Sequence, residues 1–356
     1  MTTYLFLLLS LFATIATPSP VKLAQRDGAT TPFSLTNTDL YDDIVQISDY
    51  AAASYCISSF NGVKVGQLNE ACTDVSCTEA EEDVYVVDIV NSVSHALILA
   101  QNSTKQIIIA FQGSSSLLDW ILDFSFIPVP FESYGASNGL NVNSVTADDP
   151  KVHVGFQTAA QNFFDYSISV LQYLHEKYPD YEVIVTGHSL GGALASLAGV
   201  ELYLMGYNPA IVSLAGPKVF SPSLAAWVDE VFNTNDYISK LQSQSISAVE
   251  PNTYTRITHR GDIVPCVPLV EMGYEHAGSE FYISKADLPQ TIDTITIRGL
   301  FQEKYEIEIL GGILVRALTD LGGLLKEFIV VGPHLYYFVV MSQCNGLAGL
   351  FGLDGN

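Results

Sequence analysis

From Asp39 onward the chain switches between two spacings of apolar residues. Leu40, Ile44, Ile47 and Ala51 recur every three or four positions, the spacing that puts side chains on one face of a helix. Val84 to Val90, His95 to Ala100 and Gln106 to Phe111 are instead short runs rich in Val and Ile, which predict strands. A long helical stripe follows between Gly155 and Tyr178, made of Phe156, Ala160, Phe163, Phe164, Ile168, Leu171 and Leu174, and Pro179 ends it. The run EVIVT at Glu182 to Thr186 predicts another strand, Ala193 to Met205 a helix closed by Gly206, and Ala210 to Ala215 a further strand. Strands and helices that alternate in this way predict an α/β architecture, with a mainly parallel central sheet flanked by helices. No linker-like stretch divides the region, so residues 34–356 are expected to form a single domain.

The first sixteen residues, MTTYLFLLLSLFATIA, are apolar with no acidic residue, and the following TPSP cannot continue a helix. The run is shorter than the roughly 20 residues of a membrane span and predicts a secretory signal peptide over residues 1–16. Residues 17–33 then form a pro-segment or a flexible start. A second apolar stretch, between Gly299 and Gly332, is interrupted by Arg316, Asp320, Lys326 and Glu327, charges too costly for a lipid-spanning segment. No transmembrane span is expected.

Composition sharpens this picture. The 356 residues carry 15 Lys and Arg against 38 Asp and Glu, a formal net charge of −23, and 48% of them are apolar. An apolar content this high supports a large core, and a carboxylate excess this large excludes a nucleic-acid partner, because no basic cluster offsets it. The same charge favours neutral over anionic ligand surfaces. Five cysteines suit an oxidising compartment. Cys72 and Cys77 are close enough to bridge a small loop, a Cys56–Cys344 bridge would fasten the ends together, and Cys266 is then left over. Other pairings stay open on sequence. The sequon Asn102-Ser103-Thr104 falls between two strand-like runs, at an exposed turn suited to a glycan.

The chemistry concentrates in VTGHSLGGALA, where Gly187 to Gly191 fit GxSxG between a β-branched strand and an Ala-rich helix. That context is a nucleophile elbow, in which a sharp turn pushes the serine oxygen clear of the sheet and sets it at a helix N-terminus. Ser189 needs a base, and the base needs a carboxylate to hold its tautomer. In this architecture the order is serine, acid, histidine, which removes His95, His153, His175 and His188. Asp262, in RITHRGDIVPCVP, lies just past a strand-like run and before a proline-fixed loop. His259 precedes it, so His276 and His334 remain, and His334 follows a Gly-Pro turn suited to a loop tip.

Seven blocks make the resemblance specific: AFQGSSSLLDWILD (110–123), VHVGF (152–156), VTGHSLGGALA (185–195), LAGPKVF (214–220), RITHRGDIVPCVP (256–268), GYEHAGSEFYI (273–283) and PHLYYF (333–338). In this order they resemble the fungal class 3 lipases, secreted triacylglycerol lipases of the α/β-hydrolase fold. The resemblance covers the chain from about Asp39 to its end, with 233–250 and 290–330 longer than usual. It implies Ser189 as nucleophile, Asp262 as acid and His334 as base, and it leaves His259 and His276 as hydrogen-bonding core residues. It implies an oxyanion hole formed by the N–H of Leu190 and by Ser114. It further implies a short helical lid containing Leu117, Leu118, Trp120, Ile121 and Leu122, which covers the serine in water and turns outward at a lipid–water interface. No metal or cofactor is called for. A feruloyl esterase or phospholipase A1 on the same scaffold is the nearest alternative, and a catalytically silent binding protein is the alternative from another class.

Overall fold

The computed structural model describes residues 31–58, 63–68, 83–114, 127–301 and 333–341. The described chain enters through β1 (Phe33–Ser34) and α1 (Thr38–Ala53). Asn37 caps α1, its side-chain oxygen accepting from the Leu40 N–H at 3.0 Å, which satisfies one donor of the open first turn. Leu40, Ile44, Ile47 and Ala51 are all buried, so the apolar stripe is the face that α1 sets against the sheet. A 3-10 turn, Ser54–Ser58, and β2 (Gly66–Gln67) follow. Then β3 (Val84–Asn91), β4 (His95–Gln101) and β5 (Gln106–Phe111) form an antiparallel meander. The short β6 (Pro128–Pro130) and β7 (Lys151–His153) make a separate ribbon, with α2 (Tyr134–Ser137) between them.

The second half alternates as the spacing predicts. It runs α3 (Val154–Lys177), β8 (Glu182–His188), α4 (Leu190–Leu204) and β9 (Ala210–Leu214). Two helices that the periodicity did not single out come next, α5 (Pro222–Val231) and α6 (Thr234–Gln242). The strands β10 (Tyr254–His259), β11 (Ser279–Ile283) and β12 (Ile295–Gly299) complete the sheet. Among the described residues ten strands form one sheet, in the order β1-β12-β11-β10-β9-β8-β5-β4-β3-β2. Its centre, β5-β8-β9-β10-β11, is parallel, and antiparallel strands extend it on both sides. The antiparallel wings arise because β3, β4 and β5 are joined by short turns, which permit hairpins but not crossovers.

Both faces of this sheet are covered. Along β5, Ile108 and Ala110 join the apolar cluster that contains α1, whereas Ile107, Ile109 and Phe111 join the one that contains α3 and α4. This is the two-residue alternation of a strand buried on both sides. α4 is buried almost all round, from Gly191 to Leu202 and again at Leu204, as expected of a helix with an apolar surface on every side.

One buried carboxylate belongs to the frame. Glu201 on α4 accepts from the Ser133 Oγ–H at 3.0 Å and from the Tyr134 N–H at 3.0 Å, tying the start of α2 to α4. Burial outweighs these bonds and pushes its pKa up from 4.5 to about 7. The folded state therefore binds the proton more tightly than the unfolded state. This contribution to stability is full below pH 4.5 and is lost as pH rises through about 7. Melting temperatures of wild type and Glu201→Gln, measured from pH 4 to 8, are expected to draw apart in slope across that window. Parallel curves would show that Glu201 does not titrate there.

Candidate active site

The parallel strands end together at one edge of the sheet, the place where open α/β sheets hold their ligands. Phe111 of β5 pairs with Gly187 of β8, and His188 pairs with Leu214 of β9. The segment Gln112-Gly113-Ser114 and the turn at Ser189 thus leave the sheet side by side. Ser189 sits at φ 60° and ψ −126°, a strained conformation for a residue with a side chain. Its N–H bonds to the Leu214 carbonyl at 2.9 Å, which pins the turn. Glycine is required on either side: a Cβ on Gly187 would strike the backbone of Gly191, and one on Gly191 would strike the carbonyl of Phe111.

His334 and Asp262 meet at the same edge. Asp262 follows β10, and its carboxylate receives His334 Nδ1 at 3.0 Å on Oδ1 and 2.9 Å on Oδ2. The Val264 N–H donates to Oδ1 at 3.0 Å, and the Tyr337 hydroxyl donates to Oδ2 at 2.6 Å. Burial pushes the Asp262 pKa up, but the His334 ring and these donors outweigh it and hold it below the usual carboxylate value. A carboxylate only accepts, so Nδ1 of His334 carries a proton, and Nε2 is the ring nitrogen turned away from Asp262. Among the described residues, two buried atoms here have no hydrogen-bond partner: Nε2 of His334 and Oγ of Ser189. His188, next to the serine, is bonded through Nε2 to the His334 carbonyl at 2.8 Å.

The other histidines serve the frame. His276 donates from Nε2 to the Pro265 carbonyl at 2.7 Å. The buried Lys218 ammonium reaches the Pro265 and Cys266 carbonyls at 3.0 and 2.9 Å. Together they brace the loop that carries Asp262. His259 is buried beside the Tyr337 ring, with centroids 5.7 Å apart, and burial lowers its pKa.

The family model Lipase (class 3) matches residues 108–272. Over 328 residues the chain is 30% identical to a putative lipase, LIH1, of Saccharomyces cerevisiae, covering 86% of this chain and 95% of the relative. The chain belongs to the class 3 lipase family. This class 3 lipase is thereby a carboxylic ester hydrolase. It is also 27% identical to the secreted mono- and diacylglycerol lipase A of Penicillium cyclopium, over 96% of both chains. Among solved structures, the Lip2 lipase of Yarrowia lipolytica superposes with a TM-score of 0.68 at 26% identity, covering 89% of this chain and 99% of that one. The mono- and diacylglycerol lipase of Aspergillus oryzae does so with a TM-score of 0.62 at 27% identity, covering 85% and 98%. The fold of the lipase is accordingly that of the α/β hydrolases.

The remaining predicted positions fall as follows. Ser114 is half-buried beside Gly113, and Leu190 opens α4, so its N–H is one of the first-turn donors with no acceptor inside the helix. Asn102 is exposed in the turn between β4 and β5. Cys56 is disulfide-bonded, and Cys266 is buried and carries a thiol. The residues predicted to form a lid, Leu117, Leu118, Trp120, Ile121 and Leu122, the cysteines Cys72, Cys77 and Cys344, and residues 302–332 lie outside the described residues. Among the described residues no helix is long and apolar enough to cross a membrane.

Sequence reading missed Tyr337 and Tyr55. Tyr337 stands three residues after His334, in the bend that follows the helical residues 333–335. Its nearness to the candidate base within PHLYYF is the signal that points to it. Tyr55 bonds His188 Nδ1 at 2.8 Å from 133 residues away, and no local pattern carries that information.

Proposed function

We propose that this lipase is a secreted enzyme that hydrolyses the carboxylic esters of water-insoluble acylglycerols, triacylglycerols included, through an acyl-enzyme on Ser189. The observation that carries the reading is the pair of buried, unpartnered atoms, Ser189 Oγ and His334 Nε2, with the far side of the imidazole fixed on Asp262. In the reaction, Ser189 Oγ attacks the ester carbonyl and His334 Nε2 takes its proton. The oxyanion is held by the N–H of Leu190 and by Ser114, which are preorganised at the end of β5 and the start of α4. His334 then gives the proton to the departing glycerol oxygen. Water, deprotonated by the same nitrogen, attacks the acyl-enzyme, and the fatty acid leaves as Ser189 recovers its proton. Asp262 remains ionised throughout and stabilises the imidazolium.

The apolar segment at 117–122 acts as the lid of this site, and the lipid–water interface opens it. Residues 1–16 direct secretion, 17–33 lead into the hydrolase domain of 34–356, and Asn102 receives a glycan. The relatives named as secreted enzymes support this setting, as does the disulfide at Cys56.

The test is a rate panel on emulsified tri-, di- and monoacylglycerols, phospholipid vesicles and a feruloyl ester, each below and above its aggregation threshold. The acylglycerols are expected to be cleaved fastest, with rates that jump once an interface forms. A preference for phospholipid or feruloyl ester would overturn the substrate assignment. Equal rates on dispersed and aggregated ester would remove the lid.

A further inference from the structure

The mechanism uses His334, Asp262, Ser189, Leu190 and Ser114, and leaves a second buried histidine of the motif without a task. We propose that His188 and Tyr55 are positioning residues. They form the middle of one hydrogen-bond chain, Gly113 to Tyr55 to His188 to His334, that sets the oxyanion loop and the base against each other. The proposal rests on the roles given above to Ser114 and His334.

The polarity of the chain follows from its ends. The His334 carbonyl only accepts, so His188 Nε2, 2.8 Å away, must carry the proton. The His188 ring is fully buried, and burial holds its pKa well below the ordinary value, so the ring is neutral and Nδ1 is an acceptor. The Tyr55 hydroxyl, 2.8 Å from Nδ1, is then the donor. Its oxygen in turn accepts the Gly113 N–H. Every link donates in the same sense, from Gly113 toward His334, which fixes the relative placement of four segments that are far apart in sequence.

Three features suit this task better than simple core filling. Gly113 directly precedes Ser114, and a Cβ on it would strike both Tyr55 Oη and the His188 carbonyl, so the close approach is built into the loop. Tyr55 lies in the Ser54–Ser58 turn next to the disulfide-bonded Cys56, so its hydroxyl is carried by a covalently tied segment. The His188 and His334 rings are 4.5 Å apart between centroids. His334 becomes a cation in the transition state, and a neutral neighbour at that distance adds no repulsion, whereas a charged one would.

The test compares Tyr55→Phe, His188→Gln and His188→Leu with wild type on a soluble short-chain ester. Tyr55→Phe keeps the ring and removes only the hydroxyl. Its kcat is expected to fall roughly 10- to 100-fold, the scale of a misplaced reacting group, with KM unchanged, because the substrate contacts are intact. Gln offers an amide N–H near the position of Nε2, so His188→Gln is expected to retain more kcat than His188→Leu, at similar melting temperatures. Wild-type kcat in Tyr55→Phe would overturn the proposal, as would a Gln variant no better than Leu, or losses that track the unfolded fraction. Should His188→Leu fail to fold, Tyr55→Phe against wild type decides. Organophosphate labelling of wild-type Ser189 is run alongside. Absence of labelling overturns the catalytic reading itself, whereas a labelled enzyme whose kcat is indifferent to Tyr55 overturns only the positioning role.

Discussion

Ser189→Ala is expected to lower kcat on every carboxylic ester by about 10⁶-fold, the scale seen when a serine nucleophile is deleted, while the protein melts at or above the wild-type temperature. The two halves of this result have one cause. Ser189 Oγ is buried and has no hydrogen-bond partner among the described residues, so the folded protein bears the desolvation cost of a hydroxyl that does nothing for stability, on the order of 1–3 kcal/mol. Alanine removes that cost and keeps the backbone, whose φ of 60° is as strained with one Cβ as with the other. Loss of activity with gain of stability is the signature of a group retained for chemistry. The measurement is hydrolysis of a short-chain ester and of an emulsion, beside calorimetry on the same samples. Activity within about tenfold of wild type would place the nucleophile elsewhere, since no deletion of a true nucleophile is that mild.

Asp262→Asn is expected to cost about 10⁴-fold in kcat, for a different reason. The Asp262 carboxylate accepts from His334 Nδ1, the Tyr337 hydroxyl and the Val264 N–H, so both oxygens face donors. An amide brings a donor of its own into that cluster. Either it opposes one of the three, or His334 adopts the other tautomer and offers Ser189 an N–H in place of a lone pair. Stability responds as well. The Asp262 pKa is lowered in the folded protein, so its contribution is present above the ordinary value of 3.8 and is lost as pH falls through the lowered one. Asp262→Asn is therefore expected to be less stable than wild type at neutral pH, with the gap narrowing on acidification. Urea midpoints from pH 7 to 3 check this, and a gap independent of pH would mean that folding does not lower the Asp262 pKa.

Much of this was legible in the sequence, and for identifiable reasons. β5, β8 and α4 follow from short-range spacing: two residues for a strand, between three and four for a helix, and small residues where backbones approach. The strained turn at Ser189 could be read because the glycines around it admit only one close arrangement. Asp262 and His334 needed more, namely the chain order that a strand-turn-helix nucleophile imposes. What escaped was set by contacts between distant segments. Tyr55 and His188 are 133 positions apart, and Asp262 and Tyr337 are 75 apart. α5 was missed although its start is marked, by Ser221 as cap and Pro222 in the first turn, because a search for long apolar stripes passes over a helix of only ten residues. The antiparallel wings were missed as a feature because strand alternation reports burial and not direction.

Those wings have a further consequence. The open rim of a large sheet invites another rim to pair with it. Here the outermost strands of the ten-stranded sheet, β1 and β2, are two residues long each. The register of β3 behind one of them is broken between Val86 and Asp88, and β12 behind the other carries Arg298. Among the described residues both rims thus end in stubs too short to template a growing ladder.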